Sequence, residues 1–415
     1  MSGAAQLANA VWLKEGEVAR LLSVLDLDGE EARVVGGAVR NALLRVPIGE
    51  IDVATTALPE EVTRRVEAAG GKAVPTGVEH GTVTAIIGHR QIEVTTLRQD
   101  VETFGRKARV VFGRDWRADA ERRDFTINAL SATAAGALYD YVGGLDDIAA
   151  CRVRFIGEPR QRIEEDYLRI LRFFRFHANF GESAPDNAAL HACIAARAGL
   201  ETLSRERVHA ELLKLLLAPR ATATLAIMAE CGLLGMILGG VAFLASFENL
   251  VKAEASLGAE PDAVRRLGAL GVRVKEDADR LTSRLRLSVA EAERLLALEL
   301  WWRVVPDADP QPAHALLYQL GPQSFLDRVL VAWTRSDAGV ADNNWRQLAS
   351  LPQRWTAPDF PLKAADFVRR GIQAGPQLGN ALRAAEKAWI AADFPADRAF
   401  LNKIADDIAR GRELG

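Results

Sequence analysis

The chain reads as an α+β protein, with a small mixed-sheet head followed by a neck, body and tail made entirely of helices. Three observations predict this. Between Arg33 and Val142 short β-rich runs alternate with helical ones. After Gly144 the strand pattern stops and apolar residues recur at helical spacing. The length of 415 residues exceeds one ordinary core and calls for two to four structural units. The divisions are placed at residues 1–150 (head), 151–225 (helical neck) and 226–415 (helical body and tail).

Residues 1–30 predict a lead-in helix around VARLLSVLDL. In the head, RVVGG, IDVAT, GTVTAIIG, QIEVTTL and ALYDYV have strand texture, whereas AVRNALL, LPEEVTRRVEAAG and TINALSA have helical texture. The arginine-dotted segment between Leu97 and Asp124 predicts a mobile loop. Beyond it, RQRIEEDYLRILRFFRFHANF, SRERVHAELLKLLLA and TLAIMAECGLLGMIL are helical. The chain past residue 250 is helical too, and holds six of the eight tryptophans: Trp301, Trp302, Trp333, Trp345, Trp355 and Trp389. Core packing explains them, and any left exposed are able to stack on RNA bases.

Composition is globular, at 49% hydrophobic and 26% charged residues. With a net charge of −3, any nucleic-acid surface has to be a local basic patch. The three cysteines, Cys151, Cys193 and Cys231, share no metal-ligand spacing and point to a reducing compartment. The N-terminus lacks the basic and apolar blocks of a secretory signal. The longest uncharged run, Cys231–Phe247, falls short of the ~20 apolar residues of a membrane span. A cytoplasmic protein with no membrane partner is expected, and the oligomeric state is left open. None of the six histidines is followed by aspartate, so a histidine–aspartate phosphohydrolase is not indicated.

The chemistry concentrates in GGAVRNALLRVPIGEIDVATT, residues 36–56. On a strand through residues 50–54, Glu50 and Asp52 share one face while Ile51 turns to the other. Two carboxylates so placed can hold a hard cation, and Glu93 in QIEVTTL, between Ile92 and Val94, supplies a third from a neighbouring strand. A solvated strand face explains any one of these carboxylates alone. Gly36 and Gly37 follow a strand and open a helix, where backbone N–H groups hold phosphate, and Arg40 in the first turn reaches the same anion. Glycine pair, arginine and spaced carboxylates together point to nucleotidyl transfer.

Here the chain resembles the class II nucleotidyltransferases, the CCA-adding enzymes and the related bacterial poly(A) polymerases. GGAVRN with EIDVATT looks like their head motif, in which GGxVRD precedes a D-x-D metal pair. RRDFTINAL (Arg122–Leu130), YDYVGGLDDI (Tyr139–Ile148) and EEDYLRILRFFRF (Glu164–Phe176) are similar to their next motif, connecting segment and base-reading motif, in the family's order. The set spans residues 30–220. Two positions depart from the pattern: Asn41 replaces the aspartate after the arginine, and Glu50 replaces the first aspartate of the metal pair.

On one continuous helix, Asp166, Arg169, Arg172 and Arg175 form a polar stripe, which by itself is an i,i+3 ion pair with solvated arginines. Facing a nucleotide, the pair acquires a use. Cytosine and adenine each show an amino donor beside a ring-nitrogen acceptor, matching Asp166 as acceptor and Arg169 as donor. Uracil and guanine present the reverse pattern and leave groups unsatisfied, at ~1–3 kcal/mol each. This matches the role that the resemblance implies. Arg172 and Arg175 would clamp the triphosphate, Arg122 or Arg123 would contact phosphate, and Asp124 and Asn128 the sugar hydroxyls.

The resemblance therefore implies template-independent addition of C, C and A to the 3′ end of tRNA. CTP and ATP are the substrates, pyrophosphate leaves, and Mg2+ is held by Glu50 and Asp52 with Glu93 as the third catalytic carboxylate. Two alternatives stand beside it: a poly(A) polymerase of the same family, and a non-catalytic RNA-binding relative disabled at Glu50.

Overall fold

The computed structural model describes residue 7 and residues 9–77, 81–104 and 107–411. The chain forms two compact units, Met1–Ile237 and Leu238–Gly415.

The first unit is built on seven strands in the order β3-β4-β5-β2-β1-β8-β9. These are β1 (Ala32–Val35), β2 (Asp52–Thr55), β3 (Lys72–Gly77), β4 (Thr82–Ile87), β5 (Arg90–Thr96), β8 (Ser131–Ala132) and β9 (Leu138–Tyr139). Every pairing is antiparallel except β2 with β5. That one parallel contact makes the sheet mixed, as the alternating texture predicts.

Side-chain alternation splits the sheet into two unlike faces. Val34, Val53, Val83, Ile92 and Val94 point to a core shared with Leu21, Leu22 and Leu25 of the helix Gly16–Leu25 and Val62 and Val66 of the helix Pro59–Ala68. The opposite face carries Val35, Ala54 and Leu97 packed with Trp116. Asp52, paired across the ladder with Val35, and its neighbour Glu93 stand on the same face.

Two predicted segments differ in the structure. Residues expected as a mobile loop instead form a ribbon of β6 (Arg98–Phe104) and β7 (Lys107–Phe112), then a short helix Trp116–Glu121 capped by the Asp115 side chain. These residues show no clean alternation of apolar and polar positions, so the sequence does not mark the ladder. TINALSA is not a helix but a 3-10 turn, Thr126–Asn128, running into β8. Ser131 and Ala132 find ladder partners in Val35 and Val34, so tertiary pairing overrides local propensity.

Past Tyr139 every regular element among the described residues is a helix, apart from a single bridge between Phe125 and Phe155. That bridge lies in an aromatic plug where Phe125 contacts Phe155, Phe173 and Phe176 at centroid distances of 4.8, 6.3 and 5.2 Å. It cements the helix Leu168–Phe180 to the head.

In the second unit Trp333, Trp345 and Trp389 are buried, as core packing predicts, whereas Trp302 is exposed. The helix Gln311–Trp333 is kinked at Gly321, whose φ of 71° precedes Pro322. Below the kink, buried Asp327 accepts from Arg265 Nε at 2.9 Å and Arg294 Nε at 2.8 Å, and buried Glu254 accepts from Arg265 and Arg266. Among the described residues no helix is long and apolar enough to cross a membrane.

Candidate active site

Asp52 opens β2 and stands in parallel register with Glu93 of β5. Both are exposed, and their neighbours Ile51, Val53, Ile92 and Val94 are buried, as strand alternation predicts. Glu50 departs from the expectation. It lies outside the ladder, in irregular exposed backbone two residues before β2. The partner strand β1 ends at Val35, opposite Asp52, so residues further upstream have no strand to pair with on that side.

The Asp52 carboxyl is raised above its usual range by the protein packed around it, then by Glu93, with a smaller push from Glu50 and a pull down from Arg123. The side chain is open by surface area yet partly dehydrated, as at the edge of a concave wall. A cation fits this donor pair, because its positive charge would relieve the repulsion between Asp52 and Glu93. Among the described residues no group of three or more His, Cys, Asp or Glu side chains is placed to hold a metal ion together. An open wall of one or two carboxylates is what a hard cation shares with substrate phosphates.

Beside this wall the chain turns from β1 into the helix Gly37–Leu44. Gly36 has φ 68° and ψ −121°, a conformation that favours glycine. Its N–H donates to the Leu130 carbonyl at 2.9 Å, so it is spent on the fold. A Cβ at Gly36 would meet Arg123 Nη1 at 3.1 Å, whereas one at Gly37 meets only Arg40 Nη2 at 3.6 Å. Gly36 thus makes room for Arg123, and Gly37 presents the helix N-terminus.

Its place in the sequence predicts that Arg40 reaches an anion at this turn, but in the structure its guanidinium is already engaged. It is buried, donates to Asn128 Oδ1 and, at 3.1 and 2.8 Å, to Asn41 Oδ1, and lies over the Phe180 ring. Burial, reinforced by Arg175, pushes its guanidinium down to about 10. Asn41 completes the bracket by donating to the Pro47 carbonyl at 2.9 Å, so the departure from the family's aspartate serves packing.

The RRD segment separates its two arginines. Buried Asp119 accepts Arg122 through one oxygen at 2.6 Å and Arg123 through the other at 3.2 Å. Arg123 is the one that reaches Gly36 and acts on Asp52. Asp124 accepts from the Phe125 N–H, Asn128 Nδ2 and Arg172. Burial raises its carboxyl, but Arg172 and the hydrogen bonds outweigh that and hold it below the usual range.

The stretch that the sequence predicts to read the base is not one helix. It breaks at Asp166, between Pro159–Glu165 and Leu168–Phe180. The Asp166 side chain accepts from Leu168 N at 3.1 Å, a local bond that competes with helix. The expected i,i+3 pair is therefore absent. Arg169 instead bonds Glu165 and the Arg162 carbonyl, and Asp166 Oδ2 accepts from Arg207 Nη2 at 2.5 Å. Arg172 and Arg175 do follow along one helix, bonded to Asp124 at 2.7 Å and to Glu211 at 2.6 Å.

Asp119, Glu165, Arg207 and Glu211 were not singled out from sequence. Arg207 and Glu211 sit four apart with opposite charge, a spacing that reads as an intrahelical pair, yet Arg207 turns to Asp166 at the helix break and Glu211 to Arg175 on the next helix. Glu165 had one signal, its place beside Asp166 in EED.

Comparison with known proteins agrees with this architecture. Residues 32–154 match the Poly A polymerase head domain family, and residues 185–244 a family described as a probable RNA and SrmB-binding site of polymerase A. The chain is 34% identical over 374 residues to the mitochondrial CCA tRNA nucleotidyltransferase 1 of Homo sapiens, covering 87% of this chain and 83% of that protein. It is 32% identical over 407 residues to the CCA-adding enzyme of Limosilactobacillus fermentum, covering 95% of this chain and 98% of that protein. Among solved structures, the Bacillus stearothermophilus CCA-adding enzyme in complex with CTP superposes with a TM-score of 0.74 at 29% identity, covering 93% of this chain and 96% of that one. With this extent of identity along nearly the whole chain, the protein belongs to the family of CCA-adding enzymes, the CCA tRNA nucleotidyltransferases.

Proposed function

We propose that this chain adds C, C and A to the 3′ end of tRNA without a nucleic-acid template, using CTP and ATP and releasing pyrophosphate. The observation that carries the reading is the Asp52–Glu93 register beside the Gly36–Gly37 turn, with Arg123 between them. Asp52 and Glu93, with Glu50 at the rim, would hold Mg2+. When bound, it would neutralise triphosphate charge and acidify the attacking hydroxyl. Arg123 and the N–H groups that begin the helix at Gly37 bind phosphate. Arg40 acts indirectly, by bracing Asn128 and the turn. Asp124 and Asn128, bonded to each other at 3.1 Å, present their remaining capacity to the ribose. Asp166 and Arg169 read the base edge, and Arg172 and Arg175 lie toward the triphosphate. Residues 151–225 form the neck that carries these readers, and the helical residues 226–415 bind the rest of the tRNA.

The test is incubation of tRNA transcripts ending at the discriminator base with Mg2+ and CTP, ATP or both, followed by product sizing. Stepwise extension that stops after C, C and A is expected. Long adenosine tails would assign poly(A) synthesis instead, and no incorporation under any condition would leave only an RNA-binding protein.

A further inference from the structure

Asp166 is held from two sides. Its Oδ1 accepts the Leu168 N–H at 3.1 Å, and its Oδ2 accepts Arg207 Nη2 at 2.5 Å. The first anchor belongs to its own turn. The second comes from the helix Arg205–Leu216, which also supplies Glu211 to Arg175 at 2.6 Å. We infer that Arg207 is a positioning residue for nucleotide choice, fixing the plane of the Asp166 carboxylate so that it accepts the amino group of cytosine or adenine.

The inference rests on the base-reading assignment above and extends it to a residue that touches no base. Asp166 lies in a break between helices, so no continuous helix restricts it, and one local bond leaves its outer oxygen free to swing. A misplacement of about 1 Å in such a site costs on the order of a hundredfold in rate. Each carboxylate oxygen has two lone pairs. One donor on each oxygen orients the group and leaves the other lone pairs for the base. Arg207 and Asp166 keep 21% and 26% side-chain exposure, so the pair is partly open and worth little as a staple of the fold. Arg169 does not compete for the carboxylate, because its bonds run to Glu165 and the Arg162 carbonyl.

The experiment competes all four triphosphates on one tRNA acceptor and measures the preference for C and A over U and G, alongside thermal unfolding. Variants are Arg207→Gln, Arg207→Lys, Asp166→Ala and the Asp166→Ala/Arg207→Gln double. Arg207→Gln should lower the preference about tenfold with its unfolding temperature held. Arg207→Lys should fall between, since an ammonium lacks the planar fork. The double variant should match Asp166→Ala, because Arg207 acts only through that carboxylate. If Asp166→Ala shifts the preference and Arg207→Gln does not, the inference is overturned while base reading stands. If neither moves it, the base-reading assignment falls as well. Should Arg207→Gln not fold, Arg207→Lys decides: a reduced preference supports the inference and an unchanged one overturns it.

Discussion

Replacing each glycine of the Gly36–Gly37 pair by alanine should separate architecture from ligand contact. At Gly36 two costs arise. The methyl group would approach Arg123 Nη1 to 3.1 Å, which the flexible end of an arginine relieves by shifting a few tenths of an ångström. The larger cost is the backbone, because φ 68° with ψ −121° is foreign to alanine and strains it by about 1–3 kcal/mol. In a unit of this size each kcal/mol lowers Tm by about 2–4 °C, so a fall of roughly 2–12 °C is expected. Gly37 has no positive φ, and a methyl there meets only Arg40 Nη2 at 3.6 Å. Gly37→Ala should hold stability or raise it by about 0.4–1 kcal/mol. It should still weaken CTP incorporation if, as proposed, the N–H groups of this helix start bind the phosphate, because the methyl group crowds them. Thermal unfolding and single-turnover incorporation, run on both variants, separate the two effects. A Gly36→Ala protein that melts with the wild type would refute the strain argument, and a fully active Gly37→Ala protein would remove that helix start from the phosphate site.

Asp52→Asn should abolish transfer and, without divalent cations, stabilise the protein at neutral pH. The folded carboxyl is raised above its unfolded value by burial and Glu93, so its favourable contribution is present below the unfolded pKa of about 3.9 and is lost as pH rises through the folded pKa. Urea titrations in chelator from acid to neutral pH should show the variant's advantage growing with pH; a disadvantage at pH 7 would contradict the crowding. Glu50→Asp should fold normally, within about 0.5 kcal/mol, and keep or gain incorporation, because residue 50 is exposed and outside the ladder. Complete inactivity would show that the irregular backbone is fitted to glutamate. Asp327→Ala should cost about 3–5 kcal/mol in chemical denaturation, since it deprives Arg265 and Arg294 of a buried partner, and a loss below 1 kcal/mol would mean the network relaxes.

The carboxylate wall was legible in the sequence because strands repeat every two residues. Glu93 between Ile92 and Val94 leaves a single choice of face, and Asp52 follows by the same rule. The helical stripe was less legible. Spacing of three residues names a face but not the element that covers it, so Glu211 and Arg207 could not be paired with Arg175 and Asp166. The break at Asp166 was hidden for a related reason: apolar periodicity runs through it from Ile163 to Leu168, and only the side-chain bond to Leu168 N–H shows the interruption. Arg40 illustrates a third limit. Its position in a first helical turn is right for an anion, but the aromatic floor of Phe176 and Phe180 that buries it comes from residues more than a hundred positions away.

Arg162, in the helix Pro159–Glu165, bonds the carbonyls of both Arg122 and Arg123, while Arg172 grips Asp124 and the Phe125 plug fills the space between. Three successive residues of one segment are thereby fastened to these helices through side chain and main chain. With the base and triphosphate bound as proposed, a junction fastened at these points would leave the extra ring of a purine to be absorbed by torsions of individual side chains. It would also keep the reacting phosphorus in place through successive additions, whichever base is held.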